Sequence, residues 1–239
     1  MARMTKLVEA IAAGDVEDAL ARIANPRTNI HAREEDALRL ACDLGHIKVV
    51  EALLAHGADP HANGSAALER AVVRGHNLIL RKLLEHCPGN NPPPDMLLCR
   101  AATSRNCGAV SLLAEAGCDM ASGGRDAIPA AAAYASAEML NTLLKLCGAE
   151  SADLNYSLRE AVIHGNEETC KALLSAGADP NANHGAAFGC ARNYHRKEIL
   201  AILKGDRQRK LTAAAGEQLA QIEASLVASN EIPTAGSWY

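Results

Sequence analysis

Residues 45 to 59 read Gly45-His46-Ile47-Lys48-Val49-Val50-Glu51-Ala52-Leu53-Leu54-Ala55-His56-Gly57-Ala58-Asp59. The apolar positions Ile47, Val50, Leu53 and Leu54 fall on one face of a helix. Gly45 closes the helix before it, which begins Ala37-Leu38-Arg39-Leu40-Ala41-Cys42, and Gly57 closes this one. Glycine suits both places because helix C-termini often need a left-handed residue. Ala58-Asp59-Pro60 then leads to a predicted reversal at Asn63-Gly64, a strong turn dipeptide. Asp36 to Ser65 thus reads as two short antiparallel helices and a turn.

The same unit recurs outward from this stretch at a spacing of 30 residues. Ala41, Ala71, Ala101, Ala131, Ala161 and Ala191 form one column, and Leu53, Leu83, Leu113, Leu143, Leu173 and Leu203 a second. Leu38, Leu68, Leu98, Ile128, Leu158 and Phe188 form a third. Consecutive matches without an insertion define a tandem array, and a period of this size means a solenoid. Such columns are scaffold: each helix pair cannot bury its apolar face alone, and burying one Leu is worth about 1.5–3 kcal/mol. Function is therefore sought at outward positions that vary between copies.

The quoted stretch, restated at Gly165-Asn166 and at Leu173-Leu174-Ser175-Ala176-Gly177-Ala178-Asp179, resembles the ankyrin repeat over roughly residues 5 to 206. The period departs from the usual 33, and Asp36-Ala37-Leu38-Arg39 stands where the family's Thr-Pro-Leu-His signature would be. The chain looks like the shortened subclass seen in bacteria and large DNA viruses. That resemblance implies an all-α ankyrin solenoid of about seven helix-turn-helix repeats, with short hairpins and stunted fingers. It also implies that the first helix of each repeat lines a concave face and the second a convex one.

Leu7 to Ile23 reads as a first, capping copy, and the copies near 96 and 126 are degraded, with Arg105-Asn106-Cys107 in place of Gly-His. Pro92-Pro93-Pro94 predicts a local irregularity over 87–95, and Ala149 to Asp153 blurs another turn. Residues 1–206 are assigned to the repeat domain, 207–228 to a C-terminal helix and 229–239 to a flexible tail. The stripe Leu211, Ala215, Leu219, Ile222 and Leu226 suits a capping helix, with a dimerising helix, and so a homodimer, as the rival.

Composition narrows the class further. The net charge of −4 does not point to nucleic acid. No apolar run approaches the roughly 18 residues of a membrane span, and the charged N-terminal segment does not read as a signal peptide. The 8 cysteines show no CxxC pair and read as reduced thiols of a cytoplasmic protein. No His or Cys spacing suits a metal, no nucleophile or phosphate loop is visible, and neither an enzyme nor a cofactor is expected.

The resemblance places the ends of the first helices on the groove wall. The candidates for binding are Asp43, Leu44, Ser104, Tyr134, His164 and Tyr194, with Tyr134, His164 and Tyr194 as anchors. Arg70, Arg74, Arg100, Arg105 and Arg192 share these helices or the turns after them, whereas Lys48, Lys82, Lys145, Lys171 and Lys197 belong to second helices. Arginine forks pair with carboxylate or phosphate, which suits a partner protein with an acidic surface. Asp43, Glu69 and Glu160 share the same helices, so an internal ladder of ion pairs between repeats is the rival reading. The expected function is non-catalytic protein–protein interaction through the concave groove, with family analogy adding bacterial or viral factors that engage a host or defence protein. The alternative is a nucleotide or other anionic small-molecule sponge using the inner-wall arginines.

Overall fold

The computed structural model describes residues 5–87, 92–148 and 153–229, with side chains through 221. Among the described residues the chain is fourteen helices and no strand, arranged as seven consecutive pairs. In chain order the pairs are α1 (Lys6–Ala13) and α2 (Val16–Ile23), α3 (Ala32–Leu44) and α4 (Ile47–Ala55), α5 (Ala62–Arg74) and α6 (Asn77–Glu85), and α7 (Met96–Thr103) and α8 (Cys107–Glu115). Then follow α9 (Met120–Tyr134) and α10 (Ala137–Cys147), α11 (Leu154–His164) and α12 (Glu167–Ser175), and α13 (Ala182–Asn193) and α14 (Lys197–Ser229). The family resemblance extends to α1 and α2 as a complete first pair.

Odd-numbered helices pack on odd, and even on even, along one axis. The odd row makes the more extensive contacts, and it is the row that the family resemblance assigns to the inner wall. The three sequence columns explain the stacking. Ala41, Ala71, Ala101, Ala131 and Ala161 are 0% exposed, as are all six leucines from Leu53 to Leu203. A larger residue in the alanine column would push neighbouring inner helices apart. Gly123 takes this furthest, since a Cβ there would lie 2.4 Å from Leu98 Cδ1.

Polar joints tie the copies where helix ends leave carbonyls without an intrahelical partner. Asn106 Nδ2 donates to Val72 O at 3.0 Å and to Asn77 Oδ1 at 2.9 Å, while its Oδ1 accepts from Ala109 N. Asn166 Nδ2 donates to Ala135 O at 2.8 Å, Thr169 Oγ1 to Ala132 O at 2.9 Å, and Arg196 to Ile163 O at 3.0 Å.

The turns between copies differ from the simple reversal expected at Asn63-Gly64. Arg33-Glu34-Glu35, Asn63-Gly64-Ser65 and Asn183-His184-Gly185 each hold three successive residues at positive φ. Each is a left-handed turn ahead of the regular helix, closed in two cases by Ser65 N to His61 O and Gly185 N to Asn181 O. An Asx turn leads into all three, with the side chains of Asn29, Asp59 and Asp179 accepting from the amides of His31, His61 and Asn181. Asp119 holds the same grid position but caps α9 directly, accepting from Ala121 N and Ser122 N, so α9 is regular from Met120 onward.

The last helix runs unbroken for 33 residues, so the boundary drawn at 206 falls inside it. Ile199, Leu203 and Asp206 are buried, and Lys210 Nζ reaches Ala178 O at 2.8 Å. Asp206 forms an ion pair with Lys210 at 3.2 Å, although the alignment is not that of a hydrogen bond. This packed part closes the stack. From 207 to 221 every side chain is exposed, with Leu211 and Leu219 uncovered. Much of the irregularity expected over 87–95, the turn blurred at 149–152 and the tail from 230 lie outside the described residues.

All eight cysteines are unpaired. Burial pushes the thiols of Cys118 and Cys170 up to about 12 and that of Cys87 to about 11, and raises Cys42 further. These thiols are protonated and inert at neutral pH. No described helix is long and apolar enough to cross a membrane.

Candidate functional site

The inner helices end at one edge of the wall, and most of the expected binding residues line that edge in two groups. At the N-terminal end, Leu44 and Val73 are exposed beside an ion-pair ladder. Arg74 grips Asp43 in a two-pronged bond, Nε to Oδ1 at 2.9 Å and Nη2 to Oδ2 at 3.1 Å. Arg70 lies 3.8 Å from the same carboxylate, and Arg100 pairs with Glu69 at 3.0 Å. The Arg74 hydrogen bond, against an opposing effect of burial and helped by the charges of Arg74, Arg70 and Arg39, holds the Asp43 carboxyl below its ordinary pKa. The Arg74 guanidinium is raised in return. Arg70, Arg74 and Arg100 thus share their charge with acids of the neighbouring copy.

Further along, Ser104 donates to Arg100 O at 2.6 Å and so finishes its own helix. Arg105 takes the glycine place of the turn at φ 58°, and its Nε donates to Tyr134 O at 2.7 Å. The second group follows. Tyr134 and His164 meet edge to face with centroids 4.6 Å apart at 62°. Tyr134 is 49% exposed and Tyr194 52%. Their rings offer apolar faces with polar tips, the pattern of an interface anchor. Tyr156 was not singled out from the sequence, yet it is exposed with the Arg159 guanidinium 5.0 Å from its ring centroid. Its signal was only its rarity in an aromatic-poor chain.

Arg192 stands apart from both groups. It lines a cleft of about 320 Å³ with Asn181, His184, Gly185, Phe188, Lys204 and Arg207, at the C-terminal end of the stack. Among the described residues no cluster of three His, Cys, Asp or Glu side chains suits a metal ion.

Family comparison finds a model of three ankyrin repeats matching residues 7–95 and a single ankyrin repeat matching 153–185. These are repeat modules, not a catalytic family. No curated protein matches the chain in sequence. The fold is similar to the human ASB11 ankyrin repeat domain, with a TM-score of 0.67 at 20% identity over 84% of this chain and 98% of that one. It is also similar to one chain of a Bdellovibrio bacteriovorus complex of the predatory endopeptidase Bd0816 with immunity protein Bd3460. There the TM-score is 0.59 at 24% identity, over 72% of this chain and 99% of that one.

Proposed function

Because the chain belongs to the ankyrin-repeat family, we propose that it is a non-catalytic scaffold that binds another protein along its inner wall. The observation that carries this reading is the row of solvent-facing aromatic side chains, Tyr134, His164 and Tyr194, at successive inner-helix ends of a chain with few aromatics. Stacking cores elsewhere in the molecule use alanine and leucine, and beyond the Tyr134–His164 contact these rings face solvent. Their helices are fixed by the alanine column and by Asn166, Thr169 and Arg196, and a rigid wall loses little entropy on association. A partner reaching the N-terminal group meets aliphatic Leu44 and Val73 beside arginines already engaged by acids, so contact there is chiefly apolar. The complex of endopeptidase with immunity protein, which contains a chain of similar fold, supports a protein as the ligand.

The test is capture from the source cell, followed by affinity measurement on the partner so identified. Tyr134→Ala/Tyr194→Ala should weaken the purified pair at least about tenfold, as loss of interface anchors does. Unchanged affinity with an unchanged melting curve would remove the aromatic row from the interface.

A further inference from the structure

The cleft at the C-terminal end of the stack breaks the grid in a way no interior copy does. Arg192 occupies the column of Cys42, Val72, Ala102, Ala132 and Val162, each of which is 0% exposed against the next copy. Lys204 occupies the column of Leu54, Leu84, Ala114, Leu144 and Leu174, and Arg207 that of Gly57, Cys87, Gly117, Cys147 and Gly177. Here no further copy follows, and these cations face a cleft of about 320 Å³ with His184 and Asn181 on its wall and Phe188 beside them.

A terminal copy needs a polar outer face, but solubility alone asks for no particular sign. The chain has 28 acidic and 24 basic residues, yet the cleft is lined by three cations and an imidazole without a carboxylate. Nearby acids are engaged elsewhere: Asp206 with Lys210, and Asp179 with both nitrogens of Asn181. Arg192, Lys204, Arg207 and His184 make no ion pair or side-chain hydrogen bond among the described residues, in contrast to Arg74 and Arg100 on the inner wall.

We propose that this cleft is an anion site for a phosphate group, held by the guanidinium forks of Arg192 and Arg207 with Lys204 and His184 completing the shell. Guanidinium forks match phosphate oxygens in paired bonds, and lysine adds a point charge. Three permanent cations exceed what one carboxylate would balance, and the volume is at the lower end for a small-molecule site.

The test titrates the full chain at constant ionic strength with inorganic pyrophosphate and, separately, phenyl phosphate, by calorimetry. Saturable one-to-one binding is expected, weakened at least tenfold by Arg192→Gln or Arg207→Gln and unaffected by Arg74→Gln. Tighter binding of pyrophosphate assigns the site to free phosphates, and tighter binding of phenyl phosphate to phosphate esters, and either supports the proposal. All three variants alter exposed side chains, and equal melting temperatures check that the stack is intact. Absence of saturable binding, or equal weakening by Arg74→Gln, would overturn it. So would a wild-type chain indifferent to both probes whose Arg192→Val/Lys204→Leu variant self-associates, since the cations would then only end the stack.

Discussion

The two ends of the inner wall use one period for different chemistry. From α3 to α7 the half-buried acids are matched by arginines one copy along, Asp43 with Arg74 and Glu69 with Arg100, leaving aliphatic Leu44 and Val73 exposed between them. From α9 to α13 the exposed residues are Tyr134, His164 and Tyr194, and the arginines turn to backbone, Arg105 to Tyr134 O and Arg196 to Ile163 O. The period fixes where a side chain emerges, while the partner it meets depends on the residue one copy away. One end closes its charges among themselves, whereas the other presents rings and, at Arg192, an unmatched cation.

Asn106 ties the copy of α5 and α6 to that of α7 and α8 within the first end, and its removal should have the largest effect. Asn106→Ala deletes bonds to Val72 O, Asn77 Oδ1 and Ala109 N in a buried setting. We expect a loss of about 1–3 kcal/mol, the helix cap at Ala109 N plus one hydrogen bond to Val72 O, which keeps its Gly75 N donor. Urea unfolding should also broaden as these two copies uncouple, and a midpoint unchanged from wild type would show that the joint lies elsewhere.

The turns sharpen the contrast with opposite signs. His195 is exposed and left-handed at φ 55°, whereas Gly165 holds the same conformation with the Arg196 guanidinium against it. His195→Gly should stabilise by about 1 kcal/mol, the steric cost of a side chain in that region. Gly165→Ala should destabilise, because its Cβ would meet Arg196 Cζ at 2.7 Å. Calorimetric melting of both variants checks this, and shifts of the same sign would contradict the geometry.

The smallest effect concerns the N-terminal ladder. The carboxyl of Asp43 has a lowered pKa when folded, so its ionised form favours folding. That contribution is full above the ordinary carboxylate pKa and is lost as pH falls through the lowered value. Asp43→Asn should therefore cost no more than about 1 kcal/mol at neutral pH after solvent screening. The two stability curves should merge in acid, and a gap that widens there would reverse the assignment.

The stack was legible because burial repeats the same demand: the positions of Ala41 and Leu53 recur in volume every copy. Gly45, Gly57 and Gly165 were legible as helix ends for a similar local reason. The left-handed turn at Arg33-Glu34-Glu35 was not, since none of its residues advertises positive φ and the turn follows from the Asx turn and the packing around it. The choice between ligand-facing and paired arginines was also hidden, because Asp43 and Arg74 show both charges but not which rotamers meet. Continuity of α14 past Gly205-Asp206 depends on the Asp206–Lys210 pair and on Lys210 reaching Ala178 O, a contact across copies. The break of columns at Lys204 and Arg207, by contrast, was present in the sequence for any reader who aligned the last copy to the rest.

From residue 207 to 221 the last helix exposes every side chain, and yet it is helical through Ser229. A free segment of that length would face the nucleation penalty of a first turn. Here the turn is already set by Ile199 and Leu203 in the core, so the solenoid serves as a seed from which the rest propagates. Gly216 weakens that propagation by about 1 kcal/mol relative to alanine. The arm should therefore melt from its far end inward on warming, well before the stack, with amide exchange graded along its length and a step at Gly216.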